Sequence, residues 1–305
     1  WISCSWSFTF ANGTGHYQFY SIAKDNASNT EFSPGSADTL CGYDTVSPNS
    51  SVDTISPYWK KTSPSTITAT ASDAISGVKH VTLYYRFSTN NASWDGWVNG
   101  GSDVASPWIW SFSFSNGSGY YQFYCIADDK ATNKEVVPGG ADAWCGYDAT
   151  APSSSINPPS SYWKTISPFT LTATGNDTLS GMKNMTLYYR FSSDNVSWNG
   201  WVNAGVDTTL PWSWNFSFSN GSGYYQFYSI AKDNATNIES VPGSADALCG
   251  YDMTPPSSSI DLVSPYWKKT NPLTITATAN DALSGVKNVT LYYRFSGNNA
   301  SWGGN

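Results

Sequence analysis

The sequence predicts an all-β chain: tandem antiparallel β-sandwich domains, repeating every 104 residues and strung as an extended rod. Three observations predict it. Charged residues are only 12% of the 305-residue chain and aromatics are 16%, a balance that suits strands and disfavours surface helices rich in Glu, Lys and Arg. Several sequence anchors recur at one fixed spacing, the sign of a repeat architecture. Between the anchors, apolar residues alternate with period two and are separated by Gly, Asn, Asp and Pro, with no helical periodicity.

The anchors set the domain plan. Tyr58-Trp59-Lys60 recurs at Tyr162 and Tyr266, the run Leu83 to Ser88 at Leu187 and Leu291, and Cys41-Gly42-Tyr43-Asp44 at Cys145 and Cys249. A unit of this size can bury its own core, unlike a short solenoid repeat. The expected domains are 1–44 (the back half of a repeat), 45–148 and 149–252 (two complete repeats) and 253–305 (a front half). Trp1 corresponds to Ala105, and Asn305 to Trp97 and Trp201. Neither end reads as a natural terminus. The expectation is a piece of a longer polypeptide, continued covalently or by copies joined head to tail.

Within the repeat 45–148 the elements follow in order. Ser47-Pro48 gives an extended entry. Ser65 to Ala71 alternates and reads as a strand, Asp73 to Gly77 as a turn, and His80 to Phe87 as a second strand. The stretch 90–103, with Gly96, Gly100 and Gly101, reads as a loop in which Trp94 and Trp97 pack. Trp108 to Phe114 alternates aromatic with small residues, and Asn116-Gly117 supplies a tight turn. Tyr121 to Ala127 and Ala143 to Tyr147 complete about seven strands, the content of a two-sheet sandwich. Short Pro-bearing joints at 45–48, 149–152 and 253–256 are semi-rigid.

These residues carry a family resemblance. The run Tyr224 to Gly243 resembles the penultimate strand and following loop of Ig-like and fibronectin III-like repeats in prokaryotic surface proteins; Asn280 to Ser296 is similar to their second and third strands, and Tyr251 to Ser258 to their inter-domain joint. The resemblance covers the whole chain and implies an extracellular, multi-domain surface or fibre protein. One departure stands out. Where the family reads Ala-Gly-Asn, this chain has Ala27-Ser28-Asn29, Ala131-Thr132-Asn133 and Ala235-Thr236-Asn237.

The acceptor pattern Asn-x-Ser/Thr occurs thirteen times, about double chance placement. Two sets recur in every repeat: Asn12, Asn116 and Asn220 in the tight turn, and Asn91, Asn195 and Asn299 in the loop after the second strand. The others are Asn26, Asn49, Asn176, Asn184, Asn215, Asn234 and Asn288. Occupied, they would carry N-linked glycans that shield edge strands and keep an aromatic, charge-poor surface soluble. The plainer reading is the ordinary use of Asn, Ser and Thr in turns.

The cysteines are 4, 41, 125, 145 and 249. Strand parity aims Cys125 and Cys145 inward, which allows a Cys125–Cys145 disulfide; Cys4–Cys41 is a second, differently routed candidate. Free buried thiols are the alternative. Cys249 has no partner in its repeat, because Trp212 and Ser229 stand at the matching positions.

Other chemistries are weighed against this frame. The only histidines, His16 and His80, fall at non-equivalent positions, so no His-based triad or zinc site can be built repeat by repeat; no catalytic residues are expected and no cofactor. Net charge is −7, which disfavours nucleic acid, and no apolar run suffices to span a membrane. Recurrent carboxylates at Asp44, Asp148 and Asp252, at Asp73, Asp177 and Asp281, and at Asp25, Asp129 and Asp233 offer a low-ranking alternative. Asp148, Asp177 and Asp233 could converge at a joint and hold calcium, or each could cap a local turn. Trp94, Trp97, Trp108 and Trp110 are core or a sugar-stacking platform. The sequence thus points to a structural component of an N-glycosylated extracellular filament or cell-surface stalk, with an adhesin or carbohydrate-binding array as the alternative. Its partners are further repeats of the same chain, or head-to-tail copies.

Overall fold

The computed structural model describes residues 2–303. Trp1, Gly304 and Asn305, and with them the reading of both ends, lie outside the described residues. Every regular element among them is a strand, and no helix is long and apolar enough to cross a membrane. Contacts divide the chain into two compact units: Trp1–Thr150 with Thr178–Ser180 and Asn234–Asn237, and Ala151–Asp177 with Gly181–Asp233 and Ile238–Asn305.

The first unit opens with the hairpin β1 (Gly15–Phe19) and β2 (Thr39–Tyr43). A complete sandwich follows: β3 (Asn49–Val52), β4 (Trp59–Lys60), β5 (Ser65–Ser72), β6 (Val78–Ser88), β7 (Val98–Asp103), β8 (Trp108–Phe112), β9 (Gly119–Asp129) and β10 (Ala143–Tyr147). One sheet has the order β3-β5-β8 and the other β4-β10-β9-β6-β7. All ladders are antiparallel except β4 with β10. The second unit repeats the plan with β11 (Ser153–Ile156), β12 (Trp163–Lys164), β13 (Phe169–Asn176), β14 (Met182–Ser192), β15 (Val202–Asp207), β16 (Ser213–Phe216), β17 (Gly223–Asp233) and β18 (Ala247–Tyr251). Its sheets are β11-β13-β16 and β12-β18-β17-β14-β15, and it ends with the pair β19 (Ser257–Ile260) and β20 (Ala277–Asn280). The chain is all-β, with tandem antiparallel sandwiches.

The alternation read from the sequence becomes burial. Trp108, Trp110 and Phe112 are buried while Ile109 and Ser111 are exposed. On β9, Tyr121, Phe123, Cys125 and Ala127 have no exposed surface. Their rings pack edge to face, Phe112 lying 5.0 Å from Phe123 at 87°, the arrangement that the aromatic quadrupole favours. Each such ring contributes on the order of 2–3 kcal/mol of burial. The Tyr121 hydroxyl donates back across the turn to the Gly117 carbonyl at 2.8 Å, and Tyr225 does the same to Gly221.

Three strands go beyond the sequence reading. β3 and β4 are too short for alternation to show. The stretch 90–103 ends in β7, because its glycines make a bulge and not a loop: the register on β6 shifts between Leu83 and Tyr84, and Gly101 takes φ +108°. β4 also explains why two anchors recur together. Gly146 pairs with Trp59 across the parallel ladder, and the Trp59 ring occupies the space of a side chain at 146.

Candidate functional site

The Asp that follows the β1–β2 hairpin is held by loops of the sandwich after it, within the same unit. Asp44 follows β2; its Oδ1 accepts from the Val46 amide at 2.9 Å and its Oδ2 from the Ser76 amide at 3.0 Å. The Asp44 carbonyl accepts from Asn133 Nδ2 at 3.1 Å. Within the same unit, Asp148 Oδ2 accepts from the Ser180 amide and the Asp148 carbonyl from Asn237 Nδ2; in the second unit Asp252 takes the Thr254 and Ser284 amides. Amide donation favours the carboxylate, so the Val46 bond first and then those of Ser76 hold Asp44 below the usual carboxylate range; Thr254 leads at Asp252.

Carboxylates gather at this joint. Asp44, Asp73 and Asp129 bring oxygens within 4.8 Å of one another. They stand one repeat before Asp148, which lies in the first unit, and Asp177 and Asp233, which lie in the second. Each of the three also serves its local backbone. Asp73 Oδ1 accepts from Ile75 and Gly77 amides, and Asp129 from the amide and side chain of Asn133. The turn that Asp129 organises places Thr132 at φ +75°, with Thr236 and Ser28 alike at +74° and +76°. These are the positions where the related pattern has Gly, so the departure noted in the sequence keeps the left-handed backbone and replaces only the residue.

Twelve of the thirteen acceptor asparagines are exposed; Asn184, on β14, is half-buried. Asn12, Asn116 and Asn220 sit at turn tips closed by Gly13, Gly117 and Gly221 amides. Asn91, Asn195 and Asn299 adopt φ of 58° to 60°, a conformation that Asn tolerates better than most residues. Asn49, Asn176 and Asn215 lie on β3, β13 and β16. Asn26, Asn234 and Asn288 are outside strands, and Asn234 Nδ2 donates to the Ser180 carbonyl.

The expected disulfides do not form; all five cysteines are free thiols. Cys145 faces Tyr121 in the β9–β10 ladder, and Cys125 lies four residues further along β9. At about 3.3 Å per residue that offset is about 13 Å, beyond disulfide reach. Parity placed both thiols inward but says nothing about register. Cys4 and Cys41 are exposed.

A pair of carboxylates went unnoticed in the sequence. Glu135 accepts from the Ser50 amide at 2.7 Å, from the Ser50 hydroxyl, and from the Ala127 amide at 2.9 Å. Asp142 Oδ2 accepts from the Val52 amide at 3.0 Å and the Cys125 amide at 3.2 Å. Together they fill the seam between β3 of one sheet and β9 of the other. Glu239 and Asp246 do the same in the second unit. Recurrence at Glu31, Glu135 and Glu239 and at Asp38, Asp142 and Asp246 was the available signal.

The tryptophans divide. Trp108 and Trp110 are core; Trp94 and Trp97 both lie against Arg86, whose guanidinium is 5.2 and 4.6 Å from their ring centres. His80 and Asp128 form an ion pair across adjacent strands, 3.1 Å apart.

No family model matches the chain, and no curated protein matches it. Solved structures similar to it include fibronectin(III)-like modules of Clostridium thermocellum CbhA (16% identity, TM-score 0.36, covering 67% of this chain and 95% of that one). A tetra-tandem repeat in the extending region of a large adhesion protein shows 14% identity and TM-score 0.33, covering 79% and 57%. Titin domains A168–A170 show 13% identity and TM-score 0.34, covering 73% and 71%. At such values the likeness is distant, and no function is taken from it.

Proposed function

We propose that the chain is a structural, non-enzymatic stretch of an extracellular, N-glycosylated filament or cell-surface stalk. The joint carries this reading. A closing Asp whose carboxylate and carbonyl are both held by loops of the sandwich that follows it fixes the entry to that sandwich, a property that suits a stalk. Further repeats, in the same chain or in copies arrayed head to tail, are the natural partners. Trp6 and Phe8 are exposed in residues 2–44, whereas their counterparts Trp110 and Phe112 are core.

Glycans belong to the same reading. The two recurrent asparagine sets are exposed and lie in turns or loops. Glycopeptide mapping of native material, combined with electron microscopy, tests both halves. Occupied Asn116 and Asn220 on threads with a regular bead are expected. Bare asparagines would remove the glycan coat, and isolated compact particles would remove the filament.

A divalent cation such as calcium at the Asp44–Asp73–Asp129 cluster is a subordinate part of the proposal. Three close carboxylates with no cationic partner favour it. A melting temperature unchanged by chelator would end it.

A further inference from the structure

All three arginines of the chain, Arg86, Arg190 and Arg294, occupy one repeat position; every other cation is Lys or His. Tyr85 and Phe87 pack on the core, so Arg86 projects from the opposite face of β6. Its guanidinium is bracketed by Trp94 and Trp97 and fixed edge-on by Gln122, whose Oε1 accepts from Nε at 2.9 Å and Nη2 at 2.6 Å. Trp97 is braced in turn by Tyr124, 4.4 Å between ring centres. The second unit repeats this with Arg190 between Trp198 and Trp201, held by Gln226. A planar, stacked, always-charged group is what Arg supplies and Lys does not.

The arrangement leaves something over. A guanidinium has five N–H donors, and Gln122 takes two of them. Among the described residues, no carboxylate pairs with Arg86 or Arg190. The result is a fixed, half-exposed cation edge between two indoles. A carboxylate fits the fork, and the apolar face of a sugar ring fits an indole rim.

We propose that the Trp94–Arg86–Trp97 bracket, with its counterpart at Arg190, is a binding site for carboxylate-bearing saccharides. The ligand could belong to an acidic N-glycan of the same material or to a separate polysaccharide; the chemistry is shared. The site stands apart from the structural reading and does not need it.

The test uses the full chain produced without N-glycosylation, with oligogalacturonate and its methyl ester as probes, read by calorimetry and tryptophan fluorescence. Saturable binding of the acid is expected, weakened by salt and at least about tenfold weaker for the ester. The double variant Arg86→Lys/Arg190→Lys keeps charge and should keep the fold by circular dichroism, yet lose binding by about tenfold or more. Glycosylated protein that still binds points to a separate polysaccharide, and loss of binding only when glycosylated points to its own glycans; both support the site. No saturable binding, equal binding of the ester, or equal binding by the Lys variant overturns it.

Discussion

The indole of Trp59 fills the position that a side chain on Gly146 would take: a Cβ there would clash with the ring, with Cη2 only 2.8 Å away. Gly146 therefore has no substitute. Gly146→Ala is expected to cost about 2–3 kcal/mol through overpacking, and Gly250→Ala likewise against Trp163. Denaturant titration measures it, and Trp59→Leu in the Gly146→Ala background should recover part of the loss.

Thr132 and Thr236 hold a left-handed backbone that β-branched residues resist. Replacing either with Gly should stabilise its unit by about 1 kcal/mol, the relief of strain exceeding the entropy of Gly. A lower melting temperature for the Gly variants would show that the Thr side chains contribute packing that outweighs the strain.

The Glu135 and Asp142 carboxylates replace a ladder between β3 and β9. Glu135→Ala strands the amides of Ser50 and Ala127 and is expected to cost about 2–3 kcal/mol. Hydrogen exchange localises the effect: Ser50 and Ala127 should lose protection while the β5–β8 ladder keeps it.

Acid should act in opposite senses at joint and seam. Asp44 is held below its ordinary value of 3.8 by the Val46 amide and then by Ser76. Its contribution is present above 3.8 and is lost as pH falls through the lower folded value. Asp142 is pushed above 3.8, mainly by burial and also by neighbouring Glu135. Its contribution is present below 3.8 and is lost as pH rises through the higher folded value. Exchange at Val46 and Ser76 should therefore accelerate only below 3.8. A rise in stability on mild acidification is expected of the parent, and the Asp142→Asn variant should flatten it.

The thiols give a direct check on the corrected pairing. Burial pushes Cys125, Cys145 and Cys249 up to about 12, so they should resist maleimide in native protein while Cys4 and Cys41 react. Denaturation without reductant should then expose three further thiols. Finding fewer would restore a disulfide.

Much of this was legible in the chain itself. The repeat, the strands with clear alternation, the inward parity of Tyr121, Phe123 and Cys125, and the turn at Asn116-Gly117 all follow from local periodicity. β7 was not legible, because a bulge glycine and a loop glycine look alike in one dimension. The joint was half visible: the recurring Asp residues marked it, but nothing local named Ser76 and Asn133 as the donors.

By itself the sequence determined which side of each strand is apolar and how often the unit recurs, since both are periodic and need no partner to be read. The tertiary structure alone decided what lies across a sheet or between sheets. It put Tyr121 and not Cys125 opposite Cys145, Glu135 beside Ser50, and Arg86 between two indoles. Those adjacencies depend on register and on how two sheets close over one core, and neither leaves a local trace in the order of residues.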